Sequence, residues 1–421
     1  MKLIKTSLFL FIVFFSLYMC LGSSAALSQM SNDEIYNELK AMKERINKLE
    51  KDLTKKDQEI KDLRSETMKK METIASVESE EDQPPLQEIF SKWSDKIEIS
   101  GLIEVEYDHD THNRKHRTTE RDEDITLSTL EIDIGAQVNR YVRGDIVLLY
   151  EEDETEDFTV DEGTITIGGI EETFGLYLKG GKYYPHFGEL NSYFINDPLT
   201  QEIFEIQESG LEIGYDSDWF SVGAGVFNGD IEKEGDHENN VDDFYADACF
   251  HNPEDTLGGL SLLAGVSYLT NVGDTDTLSD EDALDDKEIR HNVEGVAAYL
   301  VSEYGPFSFS AEYITALDDF KTGEMEYAYD RNGTAKKSEP AALNLEFAFR
   351  PVEVVQVAVK YEETDDMFSL YPEKQYGLGV SWEAFKFTTL SAEYLHGDYD
   401  SNNVDREDER DLISLQMAIE F

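Results

Sequence analysis

From Lys96 to Phe421 the chain is written in a period of two. In its last stretch, Asp411–Phe421, the residues Ile413, Leu415, Met417 and Ile419 are apolar, and Ser414, Gln416, Ala418 and Glu420 between them are small or polar. Such alternation gives a strand with one dry face and one wet face. About sixteen segments of this kind can be marked out. Leu343, Leu345, Phe347 and Phe349 alternate with Asn344, Glu346 and Ala348, and Tyr376, Leu378, Val380 and Trp382 alternate with Gly377, Gly379 and Ser381. Tight links at Asn139–Tyr141, Asp216–Asp218, Tyr304–Pro306, Arg350–Val352 and Ala384–Lys386 alternate with long polar connections such as Asp108–Asp124, Val272–Arg290 and Asp319–Pro340. Short and long links in turn are the rhythm of an up-and-down antiparallel barrel, with turns at one end and loops at the other. The fold expected over residues 96–421 is therefore an all-β transmembrane barrel of about sixteen strands.

The first part of the chain reads differently. Lys2 and Lys5 precede the apolar run Leu8–Leu21 and the small residues Ser24, Ala25 and Ala26, which predicts a secretory signal peptide over residues 1–26. No other apolar run approaches the roughly 18 residues of a spanning helix, so a membrane would have to be crossed by strands. Leu39, Ile46, Leu53 and Ile60 then recur at one heptad position, with Ile35, Met42, Leu49 and Leu63 at a second and Glu and Lys outside them. This predicts an α-helical coiled coil over 27–78, and through it a homo-oligomer, possible as a trimer. The acidic stretch with Pro84-Pro85 reads as a linker over 79–95. An even strand number puts both barrel ends on the turn side, so the coil is expected in the periplasm.

The formal charge of −55 is extreme. The coil segment 31–75 is balanced, with eleven residues of each sign, so the excess falls on the remainder. A surface of this sign excludes nucleic acid as a partner, since phosphate backbones need clustered Lys and Arg. It also argues against a pore for simple anions, although a saline habitat would account for much of the same charge. With Cys20 in the leader and Cys249 alone, no disulfide, zinc or redox pair can be built, and no cofactor is expected.

The alternation sends Glu98, Glu104, Glu131, Asp133, Glu294, Glu312, Glu346 and Glu393 into the lumen, with Arg143, Lys182 and Lys360 as the few basic groups to offset them. Such a lining favours cations. The fifth connection differs from the others, which are almost purely polar. Gly181–Ile206 mixes Phe187, Tyr193, Phe194, Ile195, Leu199 and Phe204 with carboxylates. Left in water it would be a sticky patch, so it is expected to fold inward and constrict the pore. Lys182, His186, Glu189, Asn191, Asp197 and Glu202 are its candidate constriction residues, with Asn191 and Asp197 as candidate wall anchors instead.

The closing strand, ending on the aromatic Phe421, resembles the last strand of bacterial outer-membrane barrels, where that strand is what the β-barrel assembly machinery reads. The signal peptide, short coil, acidic barrel and the run Gly181-Lys182, Phe187-Gly188 and Asp197-Pro198-Leu199-Thr200 resemble the LbtU-type siderophore porins. That resemblance covers nearly the whole chain. It implies an outer-membrane channel importing ferric siderophore without a plug domain. The acidic lining fits poorly with anionic siderophores, which leaves a general cation-selective porin open. A structural barrel tied by its coil to a periplasmic partner is the reading from another class.

Other clusters carry less. Asp274, Asp276, Asp280, Glu281 and Asp282 lack the glycine and bidentate glutamate spacing of a calcium loop and read as a solvated loop. His109, His112 and His116 share an expected loop, and His237 stands elsewhere; none predicts a metal site. His396 and Asp398 have no activating partner, so no enzyme is expected.

Overall fold

The computed structural model describes residues 96–421, apart from short stretches at 115–118, 153–154, 156–157, 171–172, 235–239, 254–255, 281–282, 285–287, 401 and 405–406. The expected signal peptide, coiled coil and linker lie outside the described residues, as do His116, His237, Glu281 and Asp282.

Sixteen strands close into one antiparallel barrel. They are β1 (Ile97–Arg114), β2 (Glu120–Asn139), β3 (Val142–Tyr150), β4 (Thr159–Gly168), β5 (Leu176–Tyr183), β6 (Glu208–Asp216), β7 (Phe220–Phe227) and β8 (Asp243–His251). The second eight are β9 (Leu260–Leu269), β10 (Gly295–Tyr304), β11 (Phe307–Ala316), β12 (Ala341–Val352), β13 (Val355–Asp365), β14 (Lys374–Phe385), β15 (Thr388–Asp398) and β16 (Glu407–Glu420). Each pairs with its neighbours in sequence, and β16 returns to β1 with Leu102 opposite Glu420. Phe421 completes the closure by exchanging backbone bonds of 2.9 and 3.0 Å with Gly101. Its ring covers Gly101, where a Cβ would stand 2.8 Å from the ring edge. Full closure leaves no unpaired sheet edge around the ring.

The alternation does what a lipid solvent requires. Leu178, Leu211, Ile213, Val266, Val359 and Leu378 point outward and are exposed, whereas inward positions carry carboxylates, amides, hydroxyls and glycines. Outward aromatics gather at both ends of this band, with Phe307, Phe349, Trp382, Phe385 and Phe387 at the turn end and Tyr313, Tyr376 and Tyr394 at the loop end. These are the two girdles of a membrane barrel.

Three expectations are corrected. The connection Asp108–Asp124 is mostly strand, because β1 runs on to Arg114 and β2 starts at Glu120. Charged side chains continue the ladder above the apolar band, where alternation of hydropathy stops marking it. His109 and His112 thus sit on β1, beside Glu123 at 2.9 Å and Asp110 at 3.1 Å. Glu294 falls in the outward set before β10 and bonds Tyr268, so it does not face the lumen.

The third correction concerns the loops. Among the described residues an apolar core lies at the loop end, where connections expected to be polar bury Val272, Leu278, Leu284, Phe320 and Met325 together with Ile203 and Phe204 of the fifth connection. Fully burying a side chain of this size contributes about 1.5–3 kcal/mol, enough to hold irregular loops inward. Asp274, expected in a solvated loop, is 2% exposed. It accepts bonds from the Ile231 amide at 2.9 Å and Asn271 Nδ2 at 2.9 Å, and burial pushes its carboxyl well above the ordinary range.

Candidate functional site

The fifth connection, residues 184–207, crosses into the barrel and runs along the opposite wall. An irregular segment brings backbone N–H groups that need acceptors. Glutamates on four strands supply them. Glu312 on β11 accepts from the Glu189 amide at 2.6 Å. Glu346 on β12 accepts from the Tyr193 amide and Ser192 Oγ, both at 2.7 Å. Glu393 on β15 accepts from the Ile195 amide at 2.6 Å and from the amide and side chain of Asn196. Glu362 on β13 accepts from the Leu199 amide and from Gln375, each at 2.7 Å. These four glutamates are at most 4% exposed. A buried carboxylate is tolerated only when its oxygens are bonded in this way.

Local sequence fits the loop to that wall. Gly188 takes a φ of +102° and lies against Glu312, where a Cβ would be 2.6 Å from Oε1. Leu190, two residues on, is held at φ +51°, an uncommon conformation for a branched side chain that the flanking anchors impose. Phe194 packs over Gly377 and Gly379 of β14, whose missing side chains make its seat. Lys360 Nζ lies 4.7 Å from the centre of the Phe194 ring, 3.3 Å from the Asn196 carbonyl and 3.6 Å from Glu362. The short helix α1 (Leu199–Phe204) then turns the chain back toward β6.

A second loop locks onto α1. The 3-10 turn Val272–Asp274 and the one-turn helix α2 (Asp276–Ser279) place Thr275 Oγ1 2.9 Å from the Ile203 carbonyl and the Asp276 amide 2.9 Å from the Glu205 carbonyl. Burial, with Asp197 and Asp276 nearby, pushes the Glu205 carboxyl up to about 8. Burial also raises Asp276, to about 6.

The structure sorts the expected site residues into three groups. His186, Glu189, Asn191, Asp197 and Glu202 all ride on the inward-folded segment. Asn191 donates to Glu189 Oε1 at 2.7 Å, and Tyr371 reaches Glu202 Oε2 at 3.3 Å. Lys182 departs from expectation. It pairs with Ser209 and Gly163 in the outward set that includes Leu178 and Leu211, at the loop-end rim. Glu346 and Lys360 project inward as expected, but the loop covers them, so they anchor it instead of lining water. Glu98, Glu104, Glu131 and Asp133 stay at least partly exposed on β1 and β2, with Glu98 paired to Arg143 at 3.2 Å and Asp133 accepting from Ser100 at 3.1 Å.

Sequence reasoning missed a polar network on the wall below the loop. Tyr177 and Tyr245 both donate to Glu212, Lys179 stands 3.3 Å from it, and the Tyr183 hydroxyl lies 3.2 Å from that of Tyr245. The Tyr177 and Tyr245 rings occupy the space a side chain would take at Gly214 and Gly225, which signal the network only once strand register is known. Among the described residues no group of His, Cys, Asp and Glu is arranged to hold a metal ion.

No family model matches the chain. Among curated proteins it is similar to a UPF0422 protein of Legionella pneumophila (strain Lens), 23% identical over 321 residues that span 71% of this chain and 58% of that one. A UPF0422 protein of Coxiella burnetii is 24% identical over 289 residues, 66% of this chain and 59% of that one. The chain thus covers less than two thirds of the curated relatives it matches. Among solved structures, OprB of Pseudomonas putida superimposes with a TM-score of 0.50 at 10% identity, over 80% of this chain and 96% of that one. The outer membrane channel DcaP of Acinetobacter baumannii gives a TM-score of 0.48 at 13% identity, over 77% and 97%. The likeness to OprB is one of fold: a closed barrel of porin type.

Proposed function

We propose that the protein is a passive outer-membrane channel for small solutes, narrowed by the segment 184–207. One observation carries this reading. The loop is fastened to the β11–β16 side, while the carboxylate-bearing wall of β1, β2 and β4 stays partly exposed inside a closed ring. An apolar exterior with two aromatic girdles suits a bilayer, and the turn end, where both barrel termini lie, would face the periplasm with the coiled coil. A coil-linked homo-oligomer inserted by the barrel assembly machinery through Phe421 belongs to the same reading.

For cargo we favour ferric siderophore, on the resemblance of the run Gly181–Thr200, which is the segment that forms the constriction. The lining restricts this to complexes without net negative charge. Purified full-length protein added to planar bilayers should produce stepwise conductance. Protein that inserts yet never conducts would contradict the channel reading and favour a structural barrel. A deletion strain growing normally on ferric siderophore under iron starvation would remove that cargo alone.

A further inference from the structure

The four glutamates that fasten the loop are not equally supplied with donors. Glu346, Glu362 and Glu393 each receive them on both oxygens. Glu312 differs: the Glu189 and Leu190 amides, at 2.6 and 3.5 Å, both reach Oε1. Beside it, among the described residues, two further oxygens are fully enclosed and take no hydrogen bond, Thr200 Oγ1 and Asn344 Oδ1. Thr200 is 0% and Asn344 1% exposed. A polar atom left so costs free energy unless something in the native protein engages it.

Strand register brings these oxygens together. Asn344 of β12 stands directly opposite Glu312 of β11 on one side and Glu362 of β13 on the other. Helix α1 packs across the same three strands. Its first residue, Leu199, is bound through its amide to Glu362, and the next, Thr200, sets its hydroxyl beside Glu312. Thr200 therefore lies over Asn344. The Asn344 amide cannot be turned over to find a donor. Its Nδ2 is spent on Glu346 Oε1 at 3.1 Å, and the flipped form would set two acceptors against each other.

Charge points the same way. Lys360 is the buried base of this wall and stands 3.6 Å from Glu362, which leaves Glu312 and Glu346 with neutral donors only. A proton on Glu312 would serve one acceptor, and a water would leave the charge in place. A cation serves all three oxygens and offsets the charge. A carboxylate, an amide oxygen and a hydroxyl are a hard donor set, suited to alkali and alkaline-earth ions. It is unlike the clusters of His, Cys, Asp and Glu that are absent among the described residues.

We propose that Thr200 Oγ1, Asn344 Oδ1 and the Glu312 carboxylate hold a small hard cation, of the sodium or calcium class, that pins α1 to the barrel wall. The site is structural and does not depend on the channel reading above.

The test is hydrogen exchange of amides 189–204 in purified full-length protein, dialysed with chelator into N-methylglucamine chloride and then titrated with NaCl or CaCl2 at constant ionic strength. Protection should rise and saturate with at least one of the two ions, and the more effective one identifies the class. Thr200→Val keeps the shape and deletes the hydroxyl. If nothing binds there, losing a buried hydroxyl without a partner leaves the loop as protected or more so. The cation predicts the opposite, a titration midpoint raised roughly tenfold or more, the loss that even a ligand's supporting partner causes. Asn344→Leu should act in the same direction, so the proposal stays testable should one variant fail to fold. Glu131→Gln, an equal loss of charge on the open wall compared with Glu312→Gln, should keep the wild-type midpoint, whereas Glu312→Gln should abolish the response. Equal protection in N-methylglucamine, sodium and calcium would overturn the proposal. So would a response unchanged in both Thr200→Val and Asn344→Leu, which is general screening of an acidic protein. Glu312→Gln better protected than wild type in every salt would put a proton where the cation is proposed and overturn it as well. None of these readings uses conductance, so failure of the channel reading would be seen separately.

Discussion

On β11, β12, β13 and β15 the inward glutamates Glu312, Glu346, Glu362 and Glu393 are buried, each receiving N–H or O–H donors from the loop. On β1, β2 and β4 the inward Glu104, Glu131 and Glu162 are half-exposed. The residue type and the alternation are the same on both sides. What differs is the cover: the segment 184–207 lies over one half and turns its carboxylates into fasteners, leaving the other half to meet whatever enters the lumen. The lesson is that a count of acidic lumen positions overstates the permeation charge, because much of it is used to satisfy backbone amides.

The largest effect should come from removing the core that presses the loop down. Phe204→Ala empties a fully buried site and should cost about 3–5 kcal/mol, read as faster hydrogen exchange of amides 184–207 and as larger, noisier conductance steps. The Phe204 ring meets Phe187 edge-on at a centroid distance of 6.3 Å, so Phe187 amides should respond with it. Next, Glu346→Gln keeps the side-chain shape but places a donor against the Tyr193 amide or Ser192. It should cost about 1–3 kcal/mol, with exchange accelerated near Tyr193 and barrel melting nearly unchanged. Glu131→Gln on the open side should leave loop exchange unaffected. Equal loop disturbance by both substitutions would break the comparison.

A smaller, pH-driven effect should sharpen it. Glu205 and Asp276 have carboxyls raised by burial to about 8 and about 6. The folded contact therefore holds more protons than the separated loops, so the contact between α1 and α2 is strongest at acid pH. It should weaken as pH rises toward 8 and level off above that. Exchange of amides 272–279, corrected for intrinsic rate, should increase over this window in wild type and rise less steeply in Glu205→Gln. The smallest effect is expected at Glu98→Gln, whose charge is already shared with Arg143 at a largely exposed position. Its permeability ratio should differ little from wild type.

The strand number, the alternating connections and the segment that turns inward were all legible, because a membrane barrel enforces alternation on its outer face and turn chemistry at one end. Coverage was not legible. Parity tells which side of the wall Glu346 and Lys360 occupy, but the loop that seals them is 154 residues from Glu346 in the Ser192 bond. Lys182 is grouped by composition with the run Gly181–Ile206, but it belongs to β5, which holds it in the outward register. The loop core was missed because Leu278, Phe320 and Met325 stand singly among charges, with no period to mark them. Glycines were the overlooked signal: Gly377 and Gly379 mark the seat of Phe194, and Gly188 marks a backbone held against the wall.

The division of the lumen can be tested most directly by cysteine accessibility. Ser100 on the open wall is exposed and Ser310 on the covered wall is 6% exposed, and serine to cysteine is nearly isosteric at both. In conducting channels, Ser100→Cys should react quickly with a charged, water-soluble thiol reagent and step the current down, while Ser310→Cys should stay unreactive unless Phe204 is also removed. Equal rapid labelling at the two positions would contradict the account.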